Sequence, residues 1–209
     1  MKYDSLEEEV NTKNIERSFQ IINNRTSALK TLAKEWAVWD DTYKFMEGKY
    51  PDYIEKNIFK ITHEKLDINY IVFYDKSNQI VYKQGYDWID KKTLSIPEEL
   101  KNLRFNSILR TSRGKSKEFK GIIQTEKGFL MIAAEPILKN NWSGNPNGIF
   151  LIGRYLDTAE IGNISRLLKF PIEIMTLDEA NSISFRNPHA NLSPENPIYF
   201  EYTNQEEVE

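Results

Sequence analysis

The chain has 209 residues, of which 40% are hydrophobic and 12% aromatic, and its formal net charge is −3. That content suffices for a substantial core and excludes a disordered chain, while the interleaved charges lack the basic stripe of a nucleic-acid binder. With no cysteine, disulfides, thiol catalysis and thiolate metal sites are ruled out.

The first predicted element is a long helix. Residues 5–47 contain neither proline nor glycine. Ile15, Phe19, Ile22, Leu29, Ala33, Trp36 and Tyr43 recur at alternating spacings of four and three, with Thr26 and Asp40 in the remaining slots. This heptad-type stripe predicts one helix, closed by Gly48 and Pro51. A second helix is expected from Tyr53 to about Lys65, with Ile54, Ile58, Phe59 and Ile61 facing inward.

At Asn69 the period changes. Tyr70–Tyr74 reads as a buried strand, Asp75-Lys76-Ser77-Asn78 as a turn and Ile80–Tyr82 as the returning strand of a hairpin. Pro97-Glu98-Glu99-Leu100 starts a short helix, and Ser112–Lys115 is a loop. Phe119–Thr125 and Phe129–Ile137 form a second hairpin around Glu126-Lys127-Gly128. Asn140–Gly148 is dense in turn formers. Ile149–Tyr155 is a strand, Asp157 an N-cap for a helix to about Lys169, Pro171–Leu177 a strand and Ile198–Tyr202 a final one. Antiparallel strands with helices gathered to one side give an α+β fold. The reading is one domain over 1–209, with a long helix at 1–48 and a sheet-bearing part at 49–209.

No apolar run approaches the roughly 20 residues a membrane helix requires, and the opening Ser5-Leu6-Glu7-Glu8-Glu9 is too acidic for a signal peptide. Phosphate-binding glycine loops, nucleophile elbows and His-Glu-x-x-His are missing. His63 and His189 stand far apart in sequence. No catalytic residue, metal site or cofactor is expected. Four Asn-x-Ser/Thr sequons, at Asn24, Asn141, Asn163 and Asn191, lend faint support to an extracytoplasmic location.

Two segments stand out. Glu35–Phe45 packs four aromatics and two adjacent aspartates into eleven residues. Asp40 falls on the apolar stripe and is expected to point toward the core, where a carboxylate needs partners. Two readings stay open: Asp40 ties the helix end to backbone N–H groups of the next loop while the tryptophans are core, or this helix end is one wall of a ligand pocket. The second segment runs from Gly128 to Leu138 and resumes from Gly148 to Asp157. Ala133, Ala134 and Gly153 are small for mid-strand positions. Glu135 and Arg154 are charged within apolar strands, either paired to each other, exposed, or presenting Arg154 to a carboxylate ligand.

Trp36-Ala37-Val38-Trp39-Asp40-Asp41-Thr42-Tyr43 resembles the signature at the end of the first helix in the fourth type of CHASE domain. Ala133-Ala134-Glu135-Pro136-Ile137-Leu138 through Gly148 to Gly153-Arg154-Tyr155-Leu156 is similar to that family's second block, in the same order. The resemblance covers about residues 5–170. It implies a Cache-like, PAS-like sheet and an extracellular sensor between two transmembrane helices that this chain lacks, with a histidine kinase, diguanylate cyclase or PAS module inside the cell. It also implies that the acidic end, Glu206-Glu207-Val208-Glu209, stops short of a final strand.

The leading expectation is therefore an excised ectodomain on the extracytoplasmic side of the membrane, binding an unknown small molecule and signalling as a homodimer through its N-terminal helix. The ligand-binding residues expected are Trp36, Trp39, Asp40 and Tyr43 from the helix, with Tyr74, Tyr82, Glu135 and Arg154 from the sheet. The competing reading is a protein–protein interaction module without a small-molecule ligand, anchored by Trp142 and Tyr86-Asp87-Trp88.

Overall fold

The computed structural model describes residues 2–105, 119–142, 144–176 and Glu179, with the backbone alone for residues 2–9 and 11. Two compact units divide the chain. One comprises Met1–Ile21 with Thr158–Glu209, the other Ile22–Asp157.

The larger unit is built on a six-stranded sheet: β1 Tyr70–Tyr74, β2 Ile80–Asp87, β3 Lys92–Thr93, β4 Phe119–Thr125, β5 Gly128–Pro136 and β6 Ile149–Tyr155. The order is β3-β2-β1-β6-β5-β4 and every pairing is antiparallel. Leaving aside the two-residue β3, the strands run second, first, fifth, fourth, third, which is a PAS-like arrangement. β1 and β6 are the central pair, in the register Tyr70↔Gly153 to Tyr74↔Ile149. All five residues of β1 are buried, as a strand covered on both faces requires.

Alternation assigns the two faces. Tyr70, Val72 and Tyr74 share one with Leu130, Ile132, Ala134, Ile149 and Leu151, and Leu94, Leu100 and Phe105 pack onto it. The opposite face carries Ile71, Phe73, Phe150 and Ile152 beneath helices. α1 (Lys2–Ala37), α2 (Asp40–Met46) and α3 (Tyr53–Asn57) reach it through the ring contacts Trp36–Phe150, Phe45–Phe73 and Tyr53–Phe73. α4 (Lys60–Leu66) reaches it through His63, bonded to Gln84 of β2. The short α5 (Glu98–Lys101) brings Leu100 to the Tyr74 face. The helices are therefore not all on one side, as the sequence led us to expect.

In the smaller unit, α6 (Thr158–Leu168) buries Glu160, Ile164 and Leu168, one stripe at spacings of four. It begins directly after Asp157, where the cap was predicted.

Several predicted boundaries move. The helix expected over 5–47 breaks at Val38–Trp39, where Trp39 adopts an extended conformation (φ −143°, ψ 131°). The helix expected from Tyr53 to Lys65 is two. Thr62 accepts the Phe59 N–H at 3.1 Å and donates to the Asn57 carbonyl at 3.2 Å, which fixes the break between them. That break turns Phe59 and Ile61 outward, 48% and 53% exposed, and buries Thr62 and His63 instead. β2 runs five residues beyond Tyr82, and β3 was not anticipated. Residues 171–176 form no strand. Ser112–Lys115, Leu177 and Ile198–Tyr202 lie outside the described residues.

Candidate functional site: the helix–loop joint

The break in the helix is where the two marked segments of the sequence meet. Interrupting a helix strands backbone groups that need new partners. Here the β5–β6 loop supplies them. The Leu138 N–H donates to the Ala37 carbonyl at 3.1 Å, and Val38 forms a parallel bridge with Leu138. Asp40 opens α2, and its N–H donates to Asn140 Oδ1 at 3.1 Å, while Asp40 Oδ1 accepts the Asn140 N–H at 2.9 Å. Tyr43 follows the same loop farther, its hydroxyl donating to the Asn145 carbonyl at 3.4 Å and its carbonyl accepting from Asn147 Nδ2 at 3.3 Å. Lys34 lies 4.7 Å from the Trp142 ring centre and Lys139 5.2 Å from that of Tyr43.

Thr42 closes the break from inside. Its buried Oγ1 donates to the Trp36 carbonyl at 2.8 Å and lies 2.7 Å from the Tyr53 hydroxyl, so Tyr53 is the donor of that second bond. Tyr53 is fully buried, and burial pushes its phenol up to about 12. Around it Phe45, Trp39, Tyr50 and Phe73 make ring contacts at 4.9, 6.0, 5.9 and 6.1 Å. Trp36 stacks on Phe150 at 6.1 Å with planes 10° apart, and Phe150 meets Phe73 edge-on at 4.9 Å. Each such pair contributes about 0.5–1.5 kcal/mol beyond its burial. The break is thus a stiff feature, held by a continuous aromatic cluster.

The structure separates the eight expected site residues. Tyr82, Phe73, Phe150 and Glu135 form one row across β2, β1, β6 and β5 on the helix-facing side. Trp36 covers this row and Trp39 adjoins Trp36. Asp40 and Tyr43 stand at the loop. Tyr74 is on the opposite face, fully buried, with its hydroxyl donating to the Leu100 carbonyl at 2.7 Å. Burial raises both the Tyr74 and Tyr82 phenols. Arg154, four residues beyond Phe150, pairs with Asp67 at 2.6 Å. Glu135 faces Lys30 at 3.9 Å. A Glu135–Arg154 pair is not formed, because their strand partners, Phe150 and Met131, set them four positions apart. Asp40 is exposed instead of pointing to the core; the helix breaks one residue before it and turns its side chain to the loop. Sequence reasoning missed Thr42, Tyr53 and Asn140. Only Thr42, a small polar residue amid aromatics, left a signal.

The CHASE4 domain profile matches residues 21–175. The chain is 27% identical over 162 residues, 78% of its length, to the methanogenesis regulatory histidine kinase FilI of Methanothrix harundinacea (strain 6Ac); the chain covers 18% of that kinase. Among solved structures it is similar to the periplasmic sensory domain of the Campylobacter jejuni chemoreceptor Tlp1, at 14% identity and a TM-score of 0.40, over 76% of this chain and 60% of that one.

Proposed function

The chain belongs to the CHASE4 domain family, and on that premise we propose that it is the extracytoplasmic ligand-sensing domain of a membrane-bound receptor of the histidine kinase or diguanylate cyclase type. The similarity to a regulatory histidine kinase supports this reading. So does the joint, the observation that carries it. α1 is 36 residues long, and its end is tied to the β5–β6 loop through Ala37, Asp40 and Tyr43. A displacement of that loop is passed to α1 rather than absorbed, because the Thr42–Tyr53 bond and the Trp36–Phe150 stack leave the break little freedom. Pairing of two copies through α1 would carry the displacement to an output module as a shift between two packed states. Among the described residues no helix is long and apolar enough to cross a membrane.

A thermal-shift screen against small metabolites tests the sensing role, since a ligand that binds only the folded state raises Tm. Stabilisation by a compound class supports it. With that compound in hand, Asp40→Ala and Arg154→Ala separate two roles: a joint predicts that both variants still bind, whereas lost affinity makes them pocket residues. The exposed Trp142, 47% accessible, favours a second reading, a docking module for a partner protein. Trp88 and Trp142 do not form one patch, because the β1 register puts them beyond opposite ends of the sheet. A screen without a stabilising compound, joined to loss of partner recruitment in Trp142→Ala, would favour that reading.

A further inference from the structure

His63 is fully buried on α4, in a unit whose site uses no imidazole. Both of its ring nitrogens meet oxygens. Nδ1 lies 3.2 Å from the Ile68 carbonyl and Nε2 lies 3.0 Å from Gln84 Oε1 on β2. A neutral imidazole has one N–H and one acceptor nitrogen, whereas the protonated ring has two donors. The Ile68 carbonyl can only accept, so it claims the single N–H of the neutral ring. Gln84 must then offer its amide N–H to Nε2. When the ring is protonated, Gln84 must turn its carbonyl instead. The orientation of the Gln84 amide is set by the hydrogen-bond network rather than by density, and the two protonation states demand opposite orientations.

We propose that His63 and Gln84 form a proton-responsive latch between α4 and β2, closed when His63 is neutral and loosened on acidification. The surroundings favour the neutral ring. Burial lowers the proton affinity of His63, the bonds to Gln84 and Ile68 oppose that, and no charged side chain contributes. From β2 the ring also faces Tyr86 at 5.9 Å, with Lys60 of α4 over the far side of that contact, 5.5 Å from the Tyr86 ring centre. On the segment after α4, Asp67 is engaged by Arg154, so no carboxylate is placed to compensate an imidazolium. Because the folded-state pKa is lowered, the latch contributes fully above the unfolded value of about 6.5, and its contribution is lost as pH falls toward the folded value. This inference does not depend on the sensing role.

The test is a pH titration of the full chain followed by NMR, where the two histidines, His63 and His189, give two imidazole signals. His63 is expected to titrate below the ordinary value, with the Gln84 side-chain amide signals shifting at the same midpoint. Tm should fall between about pH 7.5 and about pH 5.5, less so in His63→Gln and unchanged in slope in His189→Gln. In Gln84→Glu the new carboxylate should move the His63 midpoint upward and weaken or reverse the acid loss. A His63 midpoint at or above the ordinary value in the wild type, a Gln84 amide blind to it, or a Gln84→Glu midpoint that does not rise would each overturn the latch.

Discussion

Asp40 and Asn140, a hundred residues apart in sequence, clasp each other through two reciprocal bonds, side chain to backbone in both directions, at 2.9 and 3.1 Å. Neither end is buried. The clasp acts through geometry, capping the start of α2 while fixing the β5–β6 loop against it.

Asp40→Ala removes an acceptor that the Asn140 N–H cannot replace within the chain. Exposure lets water take over, so the expected loss is about 1 kcal/mol or less. Asp40→Asn keeps an acceptor oxygen and is expected to stay closer to the wild type. Urea denaturation of the three proteins checks the order, and equal losses in both variants would mean that charge, not the hydrogen bond, is what matters.

Thr42 and Tyr53 give the sharper contrast. Tyr53→Phe removes one buried bond and leaves Thr42 still bonded to the Trp36 carbonyl, for a loss of about 1 kcal/mol. Thr42→Val keeps the shape but strands both the Trp36 carbonyl and the Tyr53 hydroxyl, for about 2–3 kcal/mol. A double-mutant cycle monitored by denaturant unfolding should show strong coupling between the two positions.

The buried phenols predict alkaline sensitivity. An unfolded tyrosine ionises near pH 10, whereas Tyr53 holds its proton to about 12 and burial also raises Tyr70 and Tyr74. Stability from these groups is complete below about pH 10 and is lost as pH climbs through the folded values. The urea midpoint should drop between about pH 9 and about pH 11, and by less in Tyr53→Phe.

Gly148 is the position least able to accept a side chain. Its φ is +120°, and an added Cβ would lie 2.3 Å from the Tyr74 carbonyl oxygen and 2.8 Å from the Met46 methyl. Gly148→Ala should cost about 3 kcal/mol or more. Gly48→Ala, also at positive φ but with nothing within 4 Å, should cost about 1 kcal/mol. Thermal unfolding of the pair separates crowding from backbone strain.

The strands were legible because their signal is local. Tyr70–Tyr74, Phe119–Thr125 and Ile149–Tyr155 have the bounds that alternation and turn residues predict. The α+β class and the family followed from the same features. The break at Val38–Trp39 was not legible, since residues 5–47 hold no helix breaker and the partners that stabilise the break come from Leu138 and Asn140. Placing Asp40 on the apolar stripe assumed an unbroken helix, so the misplaced carboxylate follows from the missed break. Grouping Tyr74 with Tyr82 ignored the face each occupies. The bulge between Phe73 and Tyr74 shows how easily that register is misjudged from sequence.

The account rests on the joint passing motion between the β5–β6 loop and α1. The direct measurement is autophosphorylation of a membrane-embedded kinase in which this chain replaces the matching segment of FilI, at a temperature where the isolated variants remain folded. Asp40→Ala and Thr42→Val, which loosen the joint from its two sides, should shift basal autophosphorylation away from the wild-type level, while a surface change far from the joint, such as Glu126→Gln, should not. Basal activity that is unchanged in both folded joint variants would contradict the account.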